Sequence, residues 1–285
     1  MPSFPIVDAH VHLYDPSAIT FAWMKGIAHL NKPHLPHHYD ERSHPAIVDG
    51  IVFLEVDAAN DEHVDEALWV SELANSESRI QAMVASAPLE RGPAAVESDV
   101  ATIAKLPLAR GIRRLIQPYV DQPGWCLQPD FVAAVQMLPD YDLSFDICIY
   151  HPQMADAIEL VRQCPNVRFM LDHIGKPGIK DGIREPWWSQ MRELAALPNV
   201  TCKISGVVTE ADREGWTYDH VAPYVAHAIE CFGFDRVVFS GDWPVVELAS
   251  NLVDWIGVVD RVTEGASQED LRKLYRDNAI RFYRM

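Results

Sequence analysis

The sequence lacks the features of several common functional classes. No apolar run approaches the roughly 20 residues that are needed to cross a bilayer. The first residues, MPSFPIVDAHVHL, contain no basic segment followed by an apolar one. We therefore expect no membrane partner and no secretory signal, and we predict a cytoplasmic location.

Basic residues are also scarce. The chain of 285 residues has 24 Lys and Arg against 41 Asp and Glu, which gives a net charge of −17. Because nucleic acids are bound by clustered Lys and Arg, we predict no nucleic-acid partner. An acidic surface also disfavours polyanionic substrates, although a local Arg can still hold one carboxylate.

Cysteine pairs are missing as well. The five cysteines are scattered and form no CxxC motif, which argues against a zinc knuckle and a redox pair. Cys148 and Cys202 lie in apolar runs and are predicted to be small buried residues. We assign no catalytic cysteine.

The chain does contain eight short β-type runs that are separated by helical stretches. Their starts lie 24 to 41 residues apart, which fits a strand followed by a crossover helix. In chain order, the runs are IVDAHVHLY, IVDGIVFLEVD, RIQAMVASAPL, ARGIRRLIQ, LSFDICIY, VRFMLDHIG, VTCKISG and RVVFSGDWP.

Eight alternating strands and helices predict a single-domain (β/α)8 barrel over residues 1–285. The alternative is an open doubly wound sheet, which usually carries a glycine-rich phosphate loop after its first strand. Here the first strand is followed by YDPSAITFAW, which contains no glycine. The pattern therefore favours the barrel.

A long segment, Asp15 to Ala46, separates the first two strands and is rich in Pro, His and aromatic residues such as Trp23. Long connections in compact domains are often lids or binding loops. This one leaves the carboxyl end of a barrel strand, where barrel active sites lie. We predict a lid, and we interpret its histidines as solvated or capping groups rather than a separate metal site.

The first strand carries the motif HxH. Residues two apart in a strand share a face, which puts Asp8, His10 and His12 together. Three polar groups on an interior face are costly unless they bind one another, a metal or a substrate. Because two imidazoles at this spacing can chelate a zinc-like ion, we predict a metal site. The alternating apolar residues are predicted to pack on the outer helices, and these are Ala9, Val11 and Leu13.

Other polar residues fall at the ends of later strands. Asp242 follows the eighth strand and precedes Trp243, and its carboxylate could bind metal, act as a general base, or both. His173 and Lys176 end the sixth strand, and Tyr150 and His151 end the fifth.

The fourth strand contains Arg113 and Arg114 and ends at Gln117. A barrel interior does not accept a guanidinium group without a partner. One of the two Arg is therefore expected to face the site and to hold a carbonyl or carboxylate oxygen. The sequence does not determine which one.

The motifs DAHVHLYDP, LDHIGKP and GDWP, in this order, resemble the amidohydrolase superfamily. APLERG, GIRRLIQ, LSFDICI and LPNVTCKISGVVTEAD are similar to its L-fuconolactonase and L-rhamnonolactonase group. The resemblance covers Ile6 to Tyr283. This chain has CIYHP where similar lactonases more often have CIRHP, so we expect Tyr150 to alter the substrate contacts.

The resemblance implies metal ligation by His10, His12 and Asp242, and a catalytic role for His173 and Asp242. The fourth strand offers no bridging Lys or Glu, so we expect one divalent ion at most, a zinc-like one. Some pyrone-lactone relatives work without metal. Substrate contacts are assigned to Trp23, Arg113, Gln117, Tyr150, His151, Lys176 and Trp243.

The resulting hypothesis is hydrolysis of a small sugar lactone to the aldonic acid, with Asp242 as the general base. One alternative is a metal-free hydrolase of a pyrone or dicarboxylate lactone, and another is a related metal-dependent decarboxylase. A third alternative is a catalytically inactive barrel that binds a ligand, but the retained strand-end residues argue against it. A homo-oligomer is compatible with the sequence.

Overall fold

Eight parallel strands follow one another in sequence order around a barrel in the computed structural model, which describes residues 1–59 and 61–285. Each strand pairs with the next, and a bridge between Val11 and Trp243 joins the two ends of the sheet. The predicted (β/α)8 fold is confirmed, and every predicted run contains a strand. The strands are β1 (Ile6–Val11), β2 (Val48–Leu54), β3 (Ile80–Ser86), β4 (Ala109–Leu115), β5 (Ser144–Cys148), β6 (Phe169–Leu171), β7 (Val200–Ile204) and β8 (Val237–Phe239).

The helices bury apolar stripes against the outside of the barrel. In α5, for example, the buried residues Met154, Ala157, Ile158 and Val161 have the i, i+3, i+4, i+7 spacing of an amphipathic helix. No helix in the described ranges is long and apolar enough to span a bilayer. The helices are α1 (Pro36–Ser43), α2 (His63–Leu73), α3 (Pro93–Ala104), α4 (Pro129–Met137), α5 (Met154–Gln163), α6 (Trp187–Ala195), α7 (Tyr218–Phe232), α8 (Leu252–Val262), α9 (Gln268–Arg272) and α10 (Asn278–Tyr283).

The C-terminal helix, α10, closes the amino-terminal end of the barrel. Asn278 donates to the carbonyl of Val237 at the start of β8, at 2.7 Å. Tyr283 is fully buried in the interior apolar cluster, and its hydroxyl donates to Asp146 Oδ2 at 2.8 Å. A wider π turn at Lys273–Asp277 separates α10 from α9, so the final segment is not one regular α-helix.

The segment after β1 folds over the opposite end of the barrel, as predicted for a lid. Its backbone pairs with the strand exit through two hydrogen bonds between Tyr14 and His34, at 2.9 and 2.8 Å. The indole of Trp23 donates to the carbonyl of Val56 at 2.7 Å. These bonds hold the segment above the carboxyl ends of the strands.

The predicted alternation along β1 is wrong at its centre. Val7 and Ala9 belong to the interior cluster, whereas Asp8 points toward α1 and accepts a hydrogen bond from the Tyr39 hydroxyl at 2.8 Å. The register with β2 is irregular between Asp8 and Val11. This irregularity turns Asp8 away from the histidines, because a strict period of two no longer holds across it.

Replacing Tyr283 tests the closure by α10. We expect Tyr283→Ala to lower the free energy of unfolding by about 3–5 kcal/mol through the cavity it leaves. Tyr283→Phe removes only a hydrogen bond to a charged group and should cost about 1.5–3 kcal/mol. Urea unfolding measures both. The half-buried neighbour Phe282 gives a control, because Phe282→Leu should lower the free energy of unfolding by less than about 1.5 kcal/mol. Equal losses for all three variants would contradict this role for α10.

Candidate active site

Backbone bonds between β1 and the segment after β8 bring the first two histidines to Asp242. The amide of Asp242 donates to the carbonyl of His10 at 2.9 Å, and the amide of His12 donates to the carbonyl of Trp243 at 2.8 Å. His10 Nε2 and His12 Nε2 lie 3.2 Å apart. Asp242 Oδ1 lies 3.6 Å from the first and 3.5 Å from the second.

Gly241 and Asp8 fix the start of this turn. The Gly241 amide donates to Asp8 Oδ1 at 2.7 Å. A Cβ at Gly241 would lie 2.5 Å from Asp8 Oδ2, so the turn requires glycine here. Burial raises the pKa of Asp8 to about 6, and hydrogen bonds from Gly241, Tyr39 and His10 limit that rise. Asp8 is therefore a structural anchor for the loop that carries Asp242.

The third histidine reaches the site through an unusual backbone. His173 and Ile174 have φ angles of +51° and +48°, and Asp242 has +58°. Such conformations cost about 1–3 kcal/mol each and cluster at functional sites. They place His173 Nδ1 3.8 Å from Asp242 Oδ2 and 3.0 Å from Ser205 Oγ. Asp242 therefore lies among three imidazoles.

Burial sets the charges of these groups. It lowers the pKa of His10 well below its usual value, with a further contribution from the Lys203 ammonium, and it lowers that of His173 to about 4. Burial would raise the pKa of Asp242, but His173 and then the β1 histidines outweigh it and hold the pKa below the ordinary range. The site thus presents the ionised Asp242 carboxylate beside the neutral rings of His10 and His173.

Arg113 is the arginine of β4 that faces the interior. Its Nε donates to Glu55 Oε1 at 2.5 Å, its Nη2 to the Glu55 carbonyl at 2.6 Å and its Nη1 to Asp172 Oδ2 at 3.2 Å. Arg114 points outward and pairs with Glu90 at 2.6 Å. All three guanidinium nitrogens of Arg113 thus contact protein groups, which limits what it can offer a substrate.

Four interior residues around Arg113 were missed by sequence reasoning. Each is a single charged residue within or next to an apolar strand, and this signal could have identified them, since a buried charge needs a partner. Lys203 on β7 pairs with Asp146 at 2.7 Å and with Asp172 at 2.8 Å. The four residues are Glu55, Asp146, Asp172 and Lys203, and all are buried.

A cavity of about 350 Å³ opens above Asp242, at the carboxyl ends of the strands. Across its wall, Lys176 Nζ donates to Gln117 Oε1 at 2.6 Å and lies 5.2 Å from the centre of the Tyr150 ring. The lid contributes an apolar side to it. The predicted site residues that line the cavity are His12, Trp23, Arg113, Gln117, Tyr150, His173, Lys176 and Asp242.

Two predicted substrate contacts lie outside this lining. The ring of His151 lies against Gly178 in the segment after β6 and does not line the cavity. Trp243 is buried behind the site, and its ring contacts His34 and Tyr39 of the lid. Residue order alone placed them at the strand ends but did not fix the directions of their side chains.

The cavity has further lining residues that the sequence did not suggest. Asp57, Glu210 and Arg213 add charge to its wall. Cys148 also lines it, but burial raises the pKa of this thiol to about 11. The thiol therefore stays protonated at neutral pH.

The donor set fits one zinc-like ion. In a tetrahedral site with bonds of about 2.0–2.1 Å, ligand atoms are roughly 3.3 Å apart. The nitrogens of His10 and His12 and the Asp242 oxygen are separated by 3.2 to 3.6 Å. His12 Nδ1 lies 2.9 Å from the Leu54 carbonyl, which fixes the tautomer whose Nε2 lone pair faces the site.

The described residues form a second group of three donors from His10, Asp172 and His173. Both groups include His10, so they overlap at this residue. None of the lid histidines in the described ranges belongs to either group; His29, for instance, pairs with Glu247 at 2.8 Å.

Comparisons with known proteins were made on both sequence and structure. An L-fucono-1,5-lactonase from Burkholderia multivorans is 31% identical over 288 residues, which cover 97% of this chain and 95% of that protein. An L-rhamnono-gamma-lactonase from Scheffersomyces stipitis is 26% identical, with 99% of each chain covered. A crystal structure of a Burkholderia multivorans amidohydrolase with bound zinc superposes with a TM-score of 0.87, at 28% identity, over 99% of this chain and all of that one.

The model of the Amidohydrolase family matches residues 7–285. This match includes β1 with its histidine pair, the His173 turn and the Asp242 turn. The chain therefore belongs to the amidohydrolase family.

Proposed function

We propose that this enzyme hydrolyses a small neutral sugar lactone to the corresponding aldonic acid. The observation that carries the proposal is the Asp242 carboxylate, whose oxygens lie 3.5 to 3.8 Å from the nitrogens of three imidazoles at the base of the cavity. Relatives named as lactonases of L-fucono-1,5-lactone and L-rhamnono-gamma-lactone support the same reaction.

Asp242 is the general base in this proposal. It takes one proton from water while the water oxygen bonds to the lactone carbonyl carbon, and the carbonyl electron pair moves onto its oxygen. The tetrahedral intermediate then collapses, the bond to the ring oxygen breaks, and Asp242 returns the proton to that alkoxide. One water is added across the ester bond, and the enzyme regains its starting state.

His10, His12 and Asp242 would hold a divalent ion, which supplies Lewis-acid polarisation of the carbonyl when bound. His173 supports the oxyanion from another side. The Ser205 hydroxyl donates to His173 Nδ1, 3.0 Å away. The ring proton of His173 is then on Nε2, and this N–H can donate to the substrate oxygen.

The wall of the cavity favours a neutral polyhydroxylated ring over a dicarboxylate. Sugar hydroxyls both donate and accept, and they match the side chains of Gln117, Lys176 and Glu210. A dicarboxylate lactone needs free cationic groups, but Glu55 and Asp172 occupy Arg113. The other two cations of the lining, Lys176 and Arg213, share the wall with the carboxylates of Asp57 and Glu210. A decarboxylase would release carbon dioxide, so gas release separates it from a lactonase.

Replacing the proposed base tests the mechanism. We expect Asp242→Asn to lower kcat for L-fucono-1,5-lactone by roughly 10²–10⁴-fold, because the amide cannot accept the proton from water. A pH-indicator assay, corrected for spontaneous ring opening, measures the rate. The exposed Asp140→Asn is the matched control and should leave kcat unchanged. Turnover of Asp242→Asn near the wild-type rate would refute the base assignment.

Replacing Lys176 tests the proposed substrate wall. Lys176→Met removes a charged donor that can reach a ring hydroxyl and should raise KM roughly 10- to 100-fold with a smaller effect on kcat. Initial rates over a lactone concentration series give both constants. Lys180→Met removes an exposed lysine of the following loop and serves as the control. An unchanged KM in Lys176→Met would exclude this residue from substrate binding.

The metal site gives a separate prediction. Wild-type protein that is loaded with zinc and desalted should retain about one ion per chain. His12→Gln should lose most of it, because two ligands remain and the Gln amide is a poor donor to zinc. Elemental analysis measures the ratio, with the lid variant His37→Gln as the control. Equal zinc content in wild type and His12→Gln would place the ion elsewhere.

A further inference from the structure

Lys203 is a fully buried lysine directly behind His10. Burying an ammonium group is costly unless charged partners replace water. Its Nζ lies 2.7 Å from Asp146 Oδ2 and 2.8 Å from Asp172 Oδ1. The third neighbour is His10 Nδ1, at 3.4 Å.

The position of Lys203 is fixed from below by the C-terminal helix. The Tyr283 hydroxyl donates to the same Asp146 oxygen that Lys203 contacts, at 2.8 Å. The Tyr283 ring also lies beneath the ammonium, 5.7 Å from Nζ to the ring centre. Since both groups are fully buried, Lys203 has little freedom to turn away from His10.

His10 has conflicting neighbours at its two ring nitrogens. Lys203 Nζ lies 3.4 Å from Nδ1 and Arg113 Nη1 lies 3.3 Å from Nε2, and both groups are donors only. A neutral imidazole has one acceptor nitrogen, so it cannot accept from both. The two contacts therefore favour opposite tautomers of His10.

Each ring nitrogen of His10 also has an acceptor nearby. His12 Nε2, 3.2 Å from His10 Nε2, can accept a proton held there. Asp172 Oδ1 is buried, lies 3.5 Å from His10 Nδ1 and pairs with Lys203 Nζ at 2.8 Å. A carboxylate oxygen has more than one lone pair, so it can also accept a proton held on Nδ1. The Nε2–H tautomer of His10 thus has Lys203 as donor and His12 as acceptor. The Nδ1–H tautomer has Arg113 as donor and Asp172 as acceptor.

We propose that Lys203 and Asp172 are opposing positioning residues that set which nitrogen of His10 carries its proton. Lys203 stabilises the Nε2–H tautomer, whose proton faces His12 and blocks ligation. Asp172 stabilises the Nδ1–H tautomer, whose Nε2 lone pair is free to bind a divalent cation. The two residues thus control metal affinity from behind the ligand. This inference rests on the metal site of the proposed function.

The test uses the metal-stripped full chain, zinc alone as the probe and two readouts besides activity. Competition with a chromogenic chelator gives the zinc Kd. Nitrogen-15 NMR of histidine-labelled protein reports the tautomer of His10, assigned by comparison with His10→Gln. For wild type we expect the Nε2–H signal without zinc and the Nδ1–H signal with it.

The variants should shift zinc affinity in opposite directions. Asp172→Asn should weaken it about 10- to 100-fold, as loss of a carboxylate behind a ligating histidine typically does. Lys203→Gln should strengthen it roughly tenfold, because a like charge near the cation and the donor to Nδ1 are both removed. Glu90→Gln, which alters a comparable Arg–carboxylate pair outside the barrel, should change the Kd less than about twofold.

Several outcomes would overturn the proposal. They are weaker zinc binding by both variants, unchanged binding by both, an unaltered His10 tautomer on zinc addition, and no zinc binding by wild type. If circular dichroism shows that Lys203→Gln is unfolded, Lys203→Arg replaces it and must keep the wild-type tautomer of His10. The zinc Kd of Asp172→Asn then decides whether the proposal holds. A wild-type chain that binds zinc as described but opens no lactone would defeat the proposed function and leave this inference standing.

Discussion

Six charged side chains share the interior of the barrel above α10, and each is shielded from bulk water. The cluster has four carboxylates and two cations, so its formal charge has an excess of two negative charges. That excess matches the charge of one divalent ion on the ligand set. His10 contacts both signs of charge, through Lys203 and Arg113 on one hand and Asp172 and Asp242 on the other. The six residues are Glu55, Arg113, Asp146, Asp172, Lys203 and Asp242.

The barrel separates two tasks along its axis. At the amino-terminal end, Tyr283 and the apolar interior hold Asp146 and Lys203 in place. At the carboxyl end, strained turns after β6 and β8 direct His173 and Asp242 into the cavity. The stable end therefore supports the strain that the functional end requires, as expected for a site built on a rigid scaffold.

The order of strands, the lid and the residues at the strand ends could be predicted from the sequence, because hydrophobic periodicity and motif order encode them. The directions of individual side chains could not. The β1 irregularity turns Asp8 outward, and positive φ angles turn His173 inward. His151 was placed by its position in the chain, yet its ring packs on Gly178. A lone charge in an apolar strand marks Lys203 as a residue that needs a partner, but its pairing with Asp146 and Asp172 follows only from the placement of β5, β6 and β7 side by side.

The central claim is that this centre opens neutral sugar lactones. It is tested most directly by the purified wild-type chain, assayed for acid release against neutral 1,5- and γ-lactones of sugars and against a pyrone dicarboxylate lactone. The account predicts hydrolysis of at least one neutral lactone far above its spontaneous rate, with little or none of the dicarboxylate. Preference for the dicarboxylate, or no hydrolysis of any neutral sugar lactone, would contradict it.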